Sequence, residues 1–510
     1  MTEKIFKQFE SFILSNRALV FIVFLTFILR LPSLLEPIWY LDESVYLTIG
    51  QKINRGGLLY VDIFDHKTPG IYYLAAWSLK FLGESVWSFK FLLTLWMIPT
   101  LGAFYFLAKR LFNKKTAILA TLFLALSTSL TIFEGNIVNS ELLMILPTAL
   151  GIIFGLKSRY FISGVFFSLA LLLKFPAVFD FAAFFAFVAL GLNKRNVFET
   201  TRKLLRLTAG FTLPFLVTLF YFSYKGAFAE FISSIFFYNL SYTNYKNEFI
   251  IPNGLLIIKA LPLVTVVLYF FWRIFSRRGK GVGKVGSLEF IIIWLVFSYY
   301  GAVFGGRPYT HYLIQALPAL SLIVGYTVSS LAFRKLGVTV IAVFVILSLL
   351  LGFKPSYPSG YYSNFLKLVS NKISTEDYQN SYDQNISRTY SIASFLTGCV
   401  QTSAEGRCEK PRTNPDEKIY LWVNQPSIYF LSKRDPATRY ITIFHVSGSN
   451  DAKNEVVSDL RKNEPRFIIQ DQKEKPPFPE LDSLIQRDYN LFAISEDFMI
   501  YELSKNLKGL

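Results

Sequence analysis

Two acidic residues, Asp42 and Glu43, stand side by side just beyond the first long apolar stretch of the chain, 18–35. A second polar cluster, Asp65-His66-Lys67-Thr68-Pro69-Gly70, follows in the same connection before the next apolar stretch opens near Ser88. A carboxylate at Asp42 suits a general base that takes a proton from a hydroxyl or amine; it equally suits a helix cap or plain loop charge. Lys67 can neutralise a phosphate as a point charge, with Asp65 and His66 beside it against a bound substrate, or the segment is a solvated loop. Glu141, in Val138-Asn139-Ser140-Glu141, is a second acid at a helix start, where it also meets the positive end of the helix dipole. Glu134 precedes it in the same connection. Arg307 lies in Gly305-Gly306-Arg307-Pro308-Tyr309-Thr310-His311-Tyr312, and a guanidinium grips phosphate oxygens bidentately. His311 fits that role or that of a core histidine at a helix end. Lys174 ends another apolar stretch, as a substrate-binding or a snorkelling side chain. Asp180 falls inside an apolar stretch, where a charge is costly and needs a partner. None of these motifs is specific alone; their weight comes from convergence, which the surrounding elements must provide.

Those elements are membrane helices. The chain has 510 residues, 53% of them hydrophobic, with 52 Phe, which is more apolar surface than a soluble fold of this size buries. Apolar stretches of bilayer-crossing length recur, and in lipid such stretches must be helices. We read eleven spans: 18–35, 88–108, 116–133, 140–156, 160–174, 176–192, 207–223, 254–272, 288–304, 311–332 and 337–353. The pair within 160–192 is interrupted at Lys174-Phe175-Pro176 and reads as two tight spans or as a re-entrant pair. With the N-terminus inside, the inner connections hold Lys109, Arg110, Lys114, Lys115, Lys157, Arg159, Lys194, Arg195, Arg273, Arg277, Arg334 and Lys335 among others, as the positive-inside rule requires. The acids at 42, 43 and 141, with Lys67, Lys174 and Arg307, then share the outer face. The first apolar stretch is long and lacks a small-residue cleavage site, so it is expected to remain as an anchor.

The net charge of +17 does not point to nucleic acid, because it is not spread over the chain. Before position 354 there are 32 basic and 15 acidic residues, and from 354 on 20 of each, so the excess is a topology signal in the membrane half. The Lys-Pro-Ser-Tyr-Pro-Ser-Gly run at 354–360 is a linker. We therefore expect a transmembrane catalytic domain at 1–353 and an extracytoplasmic α/β domain at 354–510. In the latter, 418–423, 440–446 and 466–470 read as strands, 425–431 and 450–462 as helices, and 492–494 with 499–503 as a closing hairpin. No glycine-rich phosphate loop is present. Cys399 and Cys408 form a short-loop disulfide or stay as two thiols; without nearby histidines they are not a zinc site. The first outer connection, 36–87, carries two juxtamembrane helices: one after Asp42, with Val45, Tyr46, Ile49 and Ile53 at helical spacing, and one after the Thr68-Pro69 cap pair.

At this point the chain resembles the integral-membrane GT-C glycosyltransferases of the protein O-mannosyltransferase and aminoarabinose-transferase type. Leu41-Asp42-Glu43-Ser44-Val45-Tyr46 is similar to the family's acidic motif, and Asp65-His66-Lys67-Thr68-Pro69 to its Asp-x-Lys-Pro-Pro segment, with Thr68 where proline is usual. Asn139-Ser140-Glu141 resembles its second acidic site. Leu-Leu-Leu-Lys-Phe-Pro at 171–176 resembles a recurring span end, and 307–318 its Arg-x-x-x-His-Tyr run. The resemblance implies an α-helical polytopic fold and inverting transfer of a sugar from a polyprenyl-phosphate donor to a lipid, protein or glycan acceptor on the extracytoplasmic face of the cell membrane. It implies Asp42 as base, with Glu43 beside it, and Glu141 arranging donor or acceptor. Lys67, Arg307, Tyr309 and His311 would surround the donor phosphate, with Asp65, His66 and Lys174 at the substrate. No Asp-x-Asp motif stands in the first outer connection, so no obligatory metal is expected, although a divalent ion at His66 is possible. The alternative is a flippase for a lipid-linked saccharide, which requires inverted repeats that the sequence does not show.

Overall fold

Apolar runs of span length fold as helices because lipid offers the backbone no other partner, and a computed structural model shows these helices. It describes residues 16–191, 196–239, 286–402, 408–473, 476–495 and 497–504, together with Val264 and Leu268. The chain opens with α1 (Arg17–Arg30), which tightens into a 3-10 turn through Leu35. Two shorter helices follow, α2 (Leu41–Asn54) and α3 (Gly70–Leu82). Then come α4 (Val86–Leu111), α5 (Lys114–Ser127), α6 (Ser140–Leu156), α7 (Tyr160–Leu173), α8 (Val178–Ala189) and α9 (Val197–Tyr224). A short α10 (Phe228–Ile232) runs on as a π-helix to Tyr238. The membrane part ends with α11 (Ser287–Phe304), α12 (Leu317–Ser329) after a 3-10 turn at Thr310–Ala316, and α13 (Arg334–Leu350). Among the described residues six helices are long and apolar enough to cross a membrane, and the apolar helices at 140–156, 160–173, 175–189 and 228–238 are shorter. Of the expected span 254–272 only Val264 and Leu268 are described, and the basic residues of 273–284 lie outside the described residues, as do residues 240–249.

The interrupted pair resolves into separate helices. Lys174 leaves the α-helical region (φ −151°, ψ 122°), and Pro176 opens the turn that starts α8. Helix α7 packs between α6 and α9, while α8 packs on α11. Gly210 allows the α7–α9 approach: a Cβ there would run into the backbone carbonyl of Phe161.

The two juxtamembrane helices exist, with different caps from those expected. The residue before α2 is Tyr40, and the Asp42 carboxylate is taken by a lysine rather than by the helix end. Pro69, not Thr68, occupies the cap of α3, and no side chain caps that helix.

The last ~150 residues (354–510) begin with α14 (Tyr361–Val369), α15 (Thr375–Asn380) and α16 (Ile386–Thr397). An antiparallel pair follows, β1 (Cys399–Thr402) with β2 (Cys408–Pro411). Cys399 is disulfide-bonded, which decides the alternative left open above. A four-stranded sheet then forms in the order β3-β4-β6-β5, from β3 (Ile419–Trp422), β4 (Phe467–Asp471), β5 (Tyr489–Ser495) and β6 (Phe498–Leu503). Strands β3 and β4 are parallel and the other pairs antiparallel. Helices α17 (Ser427–Ser432), α18 (Phe444–Ser447), α19 (Asn450–Asn463) and α20 (Pro479–Asp488) complete it. The expected strand at 440–446 is not formed. Tyr440 makes a single bridge to Phe64, and the chain then turns into α18. Ile441, Thr442, Ile443, His445 and Val446 are all buried, so the run is enclosed on every side, and periodicity cannot tell such a segment from a strand.

Candidate functional site

The site is built where the C-terminal part of the chain, 354–510, sits on the connection 36–87. Helix α2 is gripped by the residues on either side of α17: the Thr48 hydroxyl donates to the Pro426 carbonyl (3.0 Å), and Lys52 and Arg55 reach Asp435 at 2.5 and 3.0 Å. The Phe64 amide donates to the Arg439 carbonyl at 2.8 Å, and Arg439 returns a bond to the Tyr60 carbonyl at 3.2 Å. These bonds hold the segment 58–66 against the C-terminal part of the chain. Gly70 fixes its other end, since a Cβ there would lie 2.6 Å from the Leu172 carbonyl oxygen. The close approach brings Lys67 next to the end of α7, where Lys174 emerges.

Lys67 is the centre of the arrangement. Its Nζ lies 3.0 Å from Asp42 Oδ1 and 3.6 Å from Asp65 Oδ2, and 5.0 Å from the centroid of the Tyr46 ring. The Tyr46 hydroxyl reaches Asp42 Oδ2 at 3.4 Å. The Asp42 side chain keeps 29% of its exposure, so an acceptor can reach it. Burial pushes the Asp42 carboxyl up, but the Lys67 ammonium and His311 outweigh that and hold it below the usual aspartate range. For Lys67, burial works against the charge, yet Asp42 and Asp65 hold the ammonium well above its ordinary value.

Lys174 forms the matching pair, with Nζ 2.8 Å from Glu141 Oε1 and 4.8 Å from the centroid of the Tyr312 ring. Lys67 and Lys174 both line one cavity of about 370 Å³. Its polar lining also includes His66, Thr68, Glu141, Asn239 and Gln315, and the rest of its wall is mostly apolar, with Phe175, Phe236, Phe237 and Phe304. The buried Thr68 hydroxyl has no hydrogen-bond partner. Two ammonium groups at the head of an apolar cavity suit an anion attached to a hydrocarbon chain: the charge is neutralised where water is scarce, and the tail meets carbon.

The other expected residues are placed as follows. His311 is buried, with Nδ1 2.6 Å from Glu134 Oε2 and 3.2 Å from the Tyr40 hydroxyl. Its ring stacks on Tyr309 at 5.7 Å. Glu134 accepts the Ser356 amide at 3.1 Å and sits in a left-handed conformation (φ 55°) that aims it inward. Arg307 is buried, with its guanidinium 5.6 Å from the Phe444 ring near the C-terminal sheet. Glu43 points away from Asp42 into a sealed cluster, 3.3 Å from Lys90 Nζ, which also bonds Glu36 at 2.6 Å. Tyr357 and Tyr361 donate to the same Glu36. Asp65 is buried; its Oδ2 accepts the Tyr72 hydroxyl at 2.5 Å, and its Oδ1 faces His66. Asp180 does have partners, the Trp294 indole (2.6 Å) and the Gln315 amide (2.7 Å).

Sequence reasoning missed Glu36, Lys90 and His445. For Lys90 a signal existed, because a lysine inside an apolar helix needs a partner. For His445, 379 positions from the His66 it faces, nothing local could have pointed to it.

Comparison with known proteins follows the same lines. Residues 66–221 match the family model described as dolichyl-phosphate-mannose-protein mannosyltransferase. Residues 409–504 match a model for the C-terminal domain of the competence-induced protein Ccs4. No curated protein matches the chain. Among solved structures, ArnT from Cupriavidus metallidurans bound to undecaprenyl phosphate superposes with a TM-score of 0.58 at 13% identity, covering 94% of this chain and 97% of that one. The same protein in its apo state gives 0.57 at 13% identity, with the same coverage of both chains. At such identity the likeness is one of fold: a GT-C membrane fold from end to end.

Proposed function

We propose, for a chain with the GT-C membrane fold that carries the mannosyltransferase-family segment at 66–221, a glycosyltransferase using a polyprenyl-phosphate-linked sugar. The observation that carries the reading is the cavity with Lys67 and Lys174 at its polar end, one hydrogen bond from the carboxylate of Asp42. The donor phosphate binds between the two ammonium groups, with the Thr68 hydroxyl donating to it, and the prenyl chain lies along Phe175, Phe236 and Phe304. Asp42 takes the proton of the acceptor hydroxyl or amine. The acceptor atom bonds to the anomeric carbon from the side opposite the phosphate, and the carbon–oxygen bond to the phosphate breaks. Polyprenyl phosphate leaves with the electron pair, and the anomeric configuration inverts. Cations facing the leaving phosphate stabilise charge that grows in the transition state, so they raise the rate rather than affinity alone.

Asp42, Lys67 and Lys174 act directly in this reading. Arg307, Tyr309 and His311 form the wall beyond, with Glu134 orienting His311. Glu141 positions Lys174, and Glu43 positions α2 through Lys90. The site faces the extracytoplasmic side, as the basic residues at the far ends of the helices support. The acceptor is a lipid, protein or glycan on that side. The test supplies purified protein with labelled polyprenyl-phosphate sugars and follows release of the lipid phosphate. Release supports the transferase; translocation across vesicles with the donor left intact overturns it in favour of a flippase.

A further inference from the structure

The C-terminal part of the chain opens with α14, and one side of that helix is apolar and uncovered. Leu366 and Val369 are 64% and 58% exposed. With about 3.6 residues per turn, Tyr362, Leu366 and Val369 fall on one stripe of the helix, while Ser363 and Lys367, both exposed, lie outside it. The neighbouring side is turned into the protein: Tyr361 is buried, and its hydroxyl donates to Glu36. We propose that the stripe is embedded in the interfacial layer of the bilayer, so that α14 is a membrane-surface helix and its partner is lipid.

Tyr362 gives the stripe its direction. Its hydroxyl is 3.3 Å from the Leu29 carbonyl and 3.1 Å from the Ser129 carbonyl. Leu29 lies in the last turn of α1, a helix long and apolar enough to cross a membrane, and Ser129 follows closely on α5. The stripe therefore points toward the ends of membrane helices, at the level where their apolar surface stops. Phe24, Phe27 and Ile28 of α1 are exposed, as are Leu35 in its closing turn and Ile132 in the turn after α5. Leu366 and Val369 carry that apolar surface past the helix ends. A soluble partner would have to displace lipid to reach them, and with no partner at all they would stand as an apolar patch against water. An apolar stripe with polar and basic residues beside it is what a helix lying flat in a membrane surface needs. Lys367 then stands at headgroup level, where its stem follows the apolar boundary and its ammonium meets phosphate and water.

The position gives the contact a role. Tyr361 and Tyr357 hold Glu36, Lys90 bonds Glu36 at 2.6 Å, and Lys90 lies 3.3 Å from Glu43 of α2. The side of α14 next to the stripe is thereby keyed into the cluster behind Asp42. The bilayer thus helps to set the height at which the C-terminal part of the chain sits on α2. None of this depends on the transferase reading.

The experiment uses full-length protein carrying Leu366→Cys, Val369→Cys or Lys367→Cys, each labelled with an environment-sensitive fluorophore; the disulfide-bonded Cys399 does not react. The labelled proteins are reconstituted in phosphatidylcholine vesicles, with and without phosphatidylcholine brominated high on its acyl chains. We expect blue-shifted emission from the probes on the stripe that loses most of its intensity to brominated lipid, and water-like emission from the Lys367→Cys probe that barely changes. As a second measurement, Leu366→Glu lowers the melting temperature in vesicles and Lys367→Glu does not, since only the first forces a carboxylate among acyl carbons. Equal quenching on and off the stripe, or no quenching on it, overturns the proposal. So does a blue shift that brominated lipid leaves intact, which would mean that a protein surface covers the stripe.

Discussion

Asp42 and Glu43 are neighbours in the chain and strangers in the structure. One helical step turns Asp42 toward Lys67 and the cavity, and Glu43 toward the sealed Lys90–Glu36 cluster. The two acids therefore behave differently with pH. Asp42 is held below the usual aspartate range, so the base is already ionised at neutral pH, and the acid limb of kcat/KM lies below the range of an ordinary aspartate. Lys67→Met removes the charge that lowers it and moves that limb upward; a pH profile in which the limb stays put contradicts the pairing. Burial pushes Glu43 from 4.5 up to about 7. The folded state then keeps a proton that the unfolded chain releases between those values. The stability this contributes is full below about pH 4.5 and lost as pH rises through about 7. Melting temperatures measured across that window should flatten in Glu43→Gln, while its turnover stays within about tenfold of wild type. The types of these residues were legible in the sequence, but their lysine partners were not. Their opposite directions were not, because helix phase at a helix start depends on where the helix begins, and α2 begins one residue before Asp42.

At the scale of elements, the bilayer made most of the fold legible. Spans must be helical and of near-constant length, and the expected stretches at 88–108, 140–156 and 288–304 fall within or nearly on α4, α6 and α11. The misread element, 440–446, failed for the opposite reason: a short apolar run enclosed on all sides carries no period. The element most sensitive to a small change is the start of α3. Gly70 lies against the backbone of Leu172, and helix α7 cannot give way there because Lys174 follows at once. Gly70→Ala should cost about 1–3 kcal/mol and raise KM for the donor more than it lowers kcat, since it parts Lys67 from Lys174. Thermal melts and donor titrations check both; an unchanged KM contradicts the role given to this contact.

For the whole molecule, the sequence implied two parts and could not say how they meet. The joint is made by bonds between residues almost 400 positions apart, such as Lys52 with Asp435 and Phe64 with Arg439, and no local pattern encodes such pairs. The joint also fixes topology: the connection 36–87 and the outer domain must lie on one side of the membrane. With Cys399 already disulfide-bonded, single cysteines report this cleanly. An impermeant maleimide applied to intact cells should label Val61→Cys and Lys372→Cys, both exposed, and spare Lys115→Cys until the cells are opened. The reverse pattern would place the site in the cytoplasm and remove the orientation argument.

The central claim is that Asp42 works on a donor held by Lys67 and Lys174, and phosphorus NMR of the donor on the purified enzyme tests it most directly. With acceptor present, wild-type protein should convert the phosphodiester signal into that of a phosphate monoester. Asp42→Asn should bind the donor comparably but cleave it about 10²–10⁴-fold more slowly. Cleavage by Asp42→Asn at the wild-type rate, with donor binding intact, would contradict the account.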